Sequence, residues 1–265
     1  MRVFLNFWRY RNLIRLLTWR EVVGRYKGSF LGIGWSLIHP LAMLIVYTFV
    51  FSTVFKTRWG IQPEEGKITF ALTLFMGLIT FRIFADVASA SPSLIIKNIN
   101  YVKKVVFPME ILPFVVFLNA MVNSLFSLMA LLLVLFLSTQ SIHVTILLLP
   151  VVWAPVILFS TGMGYLLASL GVFIRDLGAS VDILVNMLLF MCPIFYPVQA
   201  VPERFRIFIQ LNPVSLCIED ARRVVLWGMM PDWPFLFGNF LFSCLFFSLG
   251  VLFFMKTKEL FAEIL

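Results

Sequence analysis

Apolar runs free of Asp, Glu, Lys and Arg dominate the chain, covering 30–55, 111–174, 183–202 and 233–255. The second run, 64 residues long, is too long for one helix, and the polar stretch Ser138-Thr139-Gln140-Ser141-Ile142-His143 divides it. A further stretch, 68–90, is apolar apart from Arg82 and Asp86. A membrane-crossing helix needs roughly 20 apolar residues. Solid runs also exclude the alternation of a transmembrane barrel strand. The pattern predicts an all-α polytopic membrane protein, a single domain of six transmembrane helices over 30–56, 68–90, 111–137, 144–173, 178–200 and 233–255.

The segments between these runs have patterns of their own. Residues 1–29 place Leu13, Ile14, Leu16, Leu17 and Val22 at spacings that give a helix one apolar stripe, with basic residues on the other face. Such a helix lies in the membrane interface; an irregular basic arm is the alternative. The segment has no compact apolar core and no small-residue cleavage site, so it is not a secretory signal. Residues 201–232 hold two short apolar pieces on either side of Asn212-Pro213. Neither is long enough to span, which predicts a pair of short re-entrant or interfacial helices. An ordinary long loop with some helix is the alternative. In the second piece Glu219 and Asp220 precede Arg222 and Arg223, an order that suits a helix dipole, and Glu219 and Arg223 lie four apart on one face.

Composition narrows the class. The chain is 61% hydrophobic and 13% charged, with a mean hydropathy of +0.99, against about 45–50% and 25% for a soluble domain. That excludes a water-soluble enzyme and a disordered chain. Six crossings put both termini on one side, and 13 of the 21 basic residues fall there against 7 on the other, with Arg82 inside. By the positive-inside rule both termini are cytoplasmic. The net charge of +8 then reflects topology and attraction to lipid headgroups, and no nucleic acid partner is needed.

Little catalytic chemistry is legible. The sequence has no G-x-x-x-x-G-K-[ST] phosphate loop and no G-x-S-x-G elbow. His39 and His143 lack partner spacing, and Cys192, Cys217 and Cys244 lack C-x-x-C spacing and read as free thiols. No catalytic residue, metal site or resident cofactor is expected. Arg82 and Asp86 stand four apart on one helix face. They read either as a polar element of a pore or gate, or as a self-neutralised pair at a protein seam. A lone Asp beside an Arg is a poor proton relay, which counts against secondary transport. Tyr47 and Phe51, and Phe190, Phe195 and Tyr196, are candidates to line a passage by stacking on sugar faces; plain packing is the alternative.

Three segments together resemble the membrane subunit of bacterial ATP-binding cassette exporters of lipid-linked polysaccharides, the O-antigen, capsule and teichoic-acid permeases. The first runs from Arg20 to Gly32 with Trp35 and Pro40, through Arg25-Tyr26-Lys27. The second is Lys103-Lys104-Val105-Val106-Phe107-Pro108-Met109-Glu110-Ile111-Leu112-Pro113, and the third runs from Phe173-Ile174-Arg175-Asp176 through Pro193-Ile194-Phe195-Tyr196-Pro197 and Asn212-Pro213 to Arg222. His39, Phe81 and Arg82 depart from the family pattern. The resemblance implies a permease that pairs with a second copy of itself and with two ATP-binding cassette subunits, which bind ATP and Mg. Segment 91–110 is then the ATPase-docking connection, with Asn98, Asn100, Tyr101, Lys103, Lys104, Pro108 and Glu110 as its candidate residues. The N-terminal helix, with Arg15, Arg20, Arg25, Tyr26 and Lys27, rests against the same subunit and on membrane lipids. Spans one and five line a channel for a polyprenyl-linked glycan in the bacterial inner membrane. The helices of 201–232 cap it, which makes Glu219, Asp220, Arg222 and Arg223 outer-gate candidates.

Overall fold

The computed structural model describes residues 8–25, 28–50, 67–102, 107–139 and 142–264. Among them the structure is helical throughout, with no strand. Helix α1 is Arg11–Gly24, α2 Trp35–Phe49, α3 Lys67–Ala90, α4 Leu94–Lys97, α5 Ile99–Val102 and α6 Ile111–Thr139. They are followed by α7 Leu149–Phe173, α8 Leu177–Met191, α9 Glu203–Leu211, α10 Pro213–Val225, α11 Trp233–Thr257 and α12 Phe261–Ile264. Four stretches are long and apolar enough to cross a membrane: Ile68–Ala90, Ile111–Ser138, Val144–Phe173 and Trp233–Leu260.

The fifth expected crossing is shorter as a helix. α8 is apolar but has 15 residues, about 22 Å at 1.5 Å per residue, below a hydrocarbon core of about 30 Å; α2 is helical up to Val50, where this stretch of described residues ends. α8 stops at Met191 because Pro193 follows. The residue before a proline is driven out of the helical region, and Cys192 is extended at φ −73°, ψ 148°.

α3 is the central post of the bundle, with 78% of its span buried, while only 22% of the α11 span is covered. α11 instead turns Phe237, Leu241, Leu245 and Leu252 outward, a face suited to lipid. It packs along α7 through small residues. A Cβ on Gly162 would lie 2.6 Å from the Phe247 Cα, and one on Gly250 would clash with the Gly162 carbonyl. Small residues that let helix backbones touch are the usual device in lipid, where packing replaces the hydrophobic effect.

α1 lies across the start of α6. Ile14 and Leu17 bury against Ile111 and Val115, while Leu16 and Trp19 on the opposite side stay exposed. The expected stripe therefore forms, except that Leu16 falls outside it. The short helices between α8 and α11 behave differently from each other. α9 leaves Phe205, Ile207, Phe208 and Leu211 exposed. α10, expected at the surface, drives Val214, Cys217, Ile218, Ala221 and Val224 into the main core against α3 and α7. Its start is set by Asn212, whose side-chain oxygen accepts from the Val214 N–H at 3.0 Å, with Pro213 in the first turn.

Candidate functional site

Three groups of polar residues stand out, one at each end of the bundle and one within it. At one end, segment 91–110 is held from three sides. The Tyr101 ring stacks on Phe107 at 4.4 Å between centroids, and Arg20 of α1 donates to the Tyr101 hydroxyl at 3.0 Å. Glu110 is buried, and its carboxylate meets Lys258 just past α11 at 3.5 Å. Its carbonyl accepts from the Tyr165 hydroxyl of α7 at 2.7 Å. Phe261 of α12 and Phe254 of α11 are fully buried beside Leu94, Ile95 and Tyr165. The segment is thus strapped to the helix that closes the chain.

Of the residues expected to grip a partner, Asn100 is exposed, while Asn98 is half-buried and donates to the Leu94 carbonyl at 2.9 Å. Pro108 is half-buried and its carbonyl accepts from the Ile111 N–H, which starts α6. Ile96 and Lys97 are exposed as well. Lys103, Lys104, Tyr26, Lys27 and Phe51 lie outside the described residues. Arg15 and Arg20 are exposed on α1, Arg25 at its end. Burial raises the Glu21 carboxyl above its usual range, against the opposing pull of Arg20 and Arg25. Lys258, Tyr165 and Phe261 are the anchors that sequence reasoning missed. The seven-residue spacing of Phe254 and Phe261 was the available signal.

Between α2, α3 and α6, Arg82 and Asp86 line one open cavity with Arg25, Ser36, His39 and Asn123, of which Arg82, Arg25 and His39 are exposed. No ion pair within 4.0 Å joins them among the described residues. Tyr47 packs against the core at the α2–α3 contact and lines a small void with Phe75, Ile79 and Arg82. Phe190 and Phe195 stack at 5.5 Å, and the Tyr196 hydroxyl donates to the carbonyls of Phe190 and Met191 at 3.0 and 2.8 Å. These three rings form one cluster at the end of α8, whereas Tyr47 sits on α2.

At the other end of the bundle, Arg222 of α10 is fully buried. Its Nε donates to the Thr73 carbonyl at 2.9 Å, Nη1 to the Pro193 carbonyl at 2.7 Å and to Glu219 Oε1 at 2.9 Å, and Nη2 to the Ile194 carbonyl at 3.0 Å. One guanidinium thus ties α10 to α3 and to the turn after α8, whose Pro193 leaves carbonyls without helical partners. Burial lowers its pKa to about 10, while Glu219 pulls the other way, so it stays charged at neutral pH. The pairing differs from the expected one of Glu219 with Arg223: Arg223 instead approaches Asp220 at 4.0 Å and Asp232 at 3.8 Å. Asp220 also accepts from the Asp232 N–H at 3.0 Å. Burial pushes the Asp220 carboxyl up to about 6, although the bond from Asp232 and the charge of Arg223 lower it.

Helices of this length and apolarity, packed through small residues and with ion pairs, among the described residues, only at their ends, define a multi-pass helical membrane protein. Residues 12–226 match the ABC-2 type transporter family, and the chain belongs to that family. Among its relatives is the O-antigen export system permease protein RfbA of Klebsiella pneumoniae, 27% identical over 96% of this chain and 95% of the relative. RfbA of Myxococcus xanthus is 26% identical over 88% and 87%. The polysialic acid transport protein KpsM of Escherichia coli is 24% identical over 83% of each chain.

Proposed function

We propose that this chain is the permease subunit of an ATP-binding cassette exporter that moves a lipid-linked polysaccharide across the bacterial cytoplasmic membrane. The observation that carries this reading is its likeness, over nearly its whole length, to permeases named for O-antigen export and polysialic acid transport. That cargo favours a polysaccharide of O-antigen, capsule or teichoic-acid type over a small molecule. ATP and Mg bind to two separate ATPase subunits, and two copies of this chain build the path.

In this reading α2 and α8 complete six crossings with the four long helices, and both termini are cytoplasmic. Segment 91–110 receives the ATPase, with exposed Asn100 and the basic pair Lys103 and Lys104 as contacts. The strap of Lys258 and Tyr165 on Glu110 gives that segment a rigid base from which a push reaches α7 and α11. α9 and α10 cap the outer end. Deleting the gene tests the reading: lipid-linked glycan accumulates on the cytoplasmic face and surface glycan is lost until the gene is restored. Normal surface glycan in the deletion strain overturns it.

A further inference from the structure

Segment 91–110 is gripped by a part of the chain 148 residues further on. The four residues of α12 cannot hold a helix by themselves, because fixing the backbone of one turn costs more than its hydrogen bonds return. Packing holds them instead. The Phe261 ring is fully buried, edge-on to Phe254 at 5.5 Å and to Phe173 at 6.3 Å. Its core takes Leu94 and Ile95 from the start of the segment and Leu112 from just beyond its end, together with Tyr165 of α7. Tyr101 and Phe107, from the middle of the segment, pack against the same core.

A polar contact closes the same junction. Lys258, between α11 and α12, reaches Glu110 Oε2 at 3.5 Å, and the Glu110 side chain is only 7% exposed. A carboxylate at that depth needs its cation, since removing one partner leaves an uncompensated buried charge. The hydroxyls of Ser169 on α7 and Thr257 at the end of α11 bond to each other. Where the segment leaves α3, Pro92 lies against Gly171 of α7 so closely that a Cβ there would collide with the Pro92 carbonyl. Segment, α7 and the end of α11 are therefore one packed body, joined by an apolar plug, a charge pair and a backbone contact. Close-packed interiors transmit strain, so a displacement of the segment is carried into α7 and α11 together.

We infer that Lys258 and Phe261 are positioning residues for energy coupling, a latch that fixes segment 91–110 so that movement of the ATPase is delivered to α7 and α11. The inference deepens the export reading and rests on it. Each variant is returned to the deletion strain, and surface glycan is measured per copy of the chain in the membrane. ATP hydrolysis is measured on the complex purified from the same cells. Lys258→Met should lower glycan per copy at least threefold and Phe261→Ala at least fivefold, while hydrolysis per complex stays within twofold of the parent. Lys258→Arg keeps the charge and should retain at least half of the parent's export. Glu259→Gln, an exposed neighbour, should change nothing. Lys258→Met leaves the apolar plug in place and carries the comparison if Phe261→Ala does not insert. Undiminished glycan per copy in both variants, or a parallel fall of hydrolysis and export, overturns the latch and leaves the export reading standing. A parent gene that restores no surface glycan overturns the export reading, and the latch with it.

Discussion

Arg222 offers the most decisive test of how the Arg222 end of the bundle is built. Replacing it with Met keeps much of the volume and removes the charge. The carbonyls of Pro193 and Ile194 then lose the guanidinium donor, while that of Thr73, inside α3, loses only its second one, and each orphaned buried acceptor costs about 1–3 kcal/mol. Relief from desolvating the guanidinium offsets several kcal/mol of that sum, and breaking a buried charged network of this kind costs about 3–5 kcal/mol overall. At about 2–4 °C per kcal/mol for a chain near this size, thermal unfolding in detergent should fall by roughly 10 °C. Arg222→Lys should lose less, since an ammonium keeps the charge but cannot reach every carbonyl from one position. Glu219 is 29% exposed, so Glu219→Gln, which keeps an acceptor, should shift unfolding by no more than about 1 kcal/mol. Gly77→Ala provides a check from the opposite side. Its Cβ would stand 2.6 Å from Arg222 Nη2, and the guanidinium cannot retreat without breaking its bonds. Unfolding of Arg222→Met within about 2 °C of the parent would refute the clamp.

Four further outcomes follow from the same geometry and from the proposed function. Asp220, with its carboxyl near pH 6 when folded and about 3.9 unfolded, holds a proton in the folded state between those values. Its contribution to stability therefore falls as pH rises from about 4 to 6; Asp220→Asn should remove that slope and gain at most about 3 kcal/mol at pH 7, read by thermal unfolding across pH. Gly162→Ala should cost about 1–3 kcal/mol, because the atoms it meets belong to the Phe247 backbone; an unchanged unfolding temperature argues against the close α7–α11 contact. Asn212→Ala removes the α10 cap and should cost about 1 kcal/mol, again measured by unfolding. Lys103→Glu combined with Lys104→Glu should weaken co-purification of the ATPase while the permease still inserts; full recovery of the ATPase removes this pair from docking.

The apolar runs alone determined an all-helical membrane protein, its long spans and the apolar stripe of α1, because hydrophobic length and periodicity are local properties of the chain. Asn212-Pro213 likewise announced where α10 begins, since capping involves neighbours only. The end of α8 was less legible: a charge-free run continues past Met191, and Pro193 stops the helix inside it. What Arg222 does was illegible. Its composition suggested a surface charge at a helix end, and only the packing of α10 against α3, beside the turn after α8, turns it into a buried clamp. The same holds for Glu110, Tyr165 and Lys258, which lie far apart in sequence and meet at one end of the bundle. Arg82 and Asp86, read as one pair, instead line a cavity shared with Arg25, Ser36 and Asn123 from three other helical segments. Which polar groups find partners depends on contacts between distant segments, and helix periodicity carries no record of them. The chain's membrane class is written in its apolar stretches, whereas the use of its few charges is decided by how the helices pack.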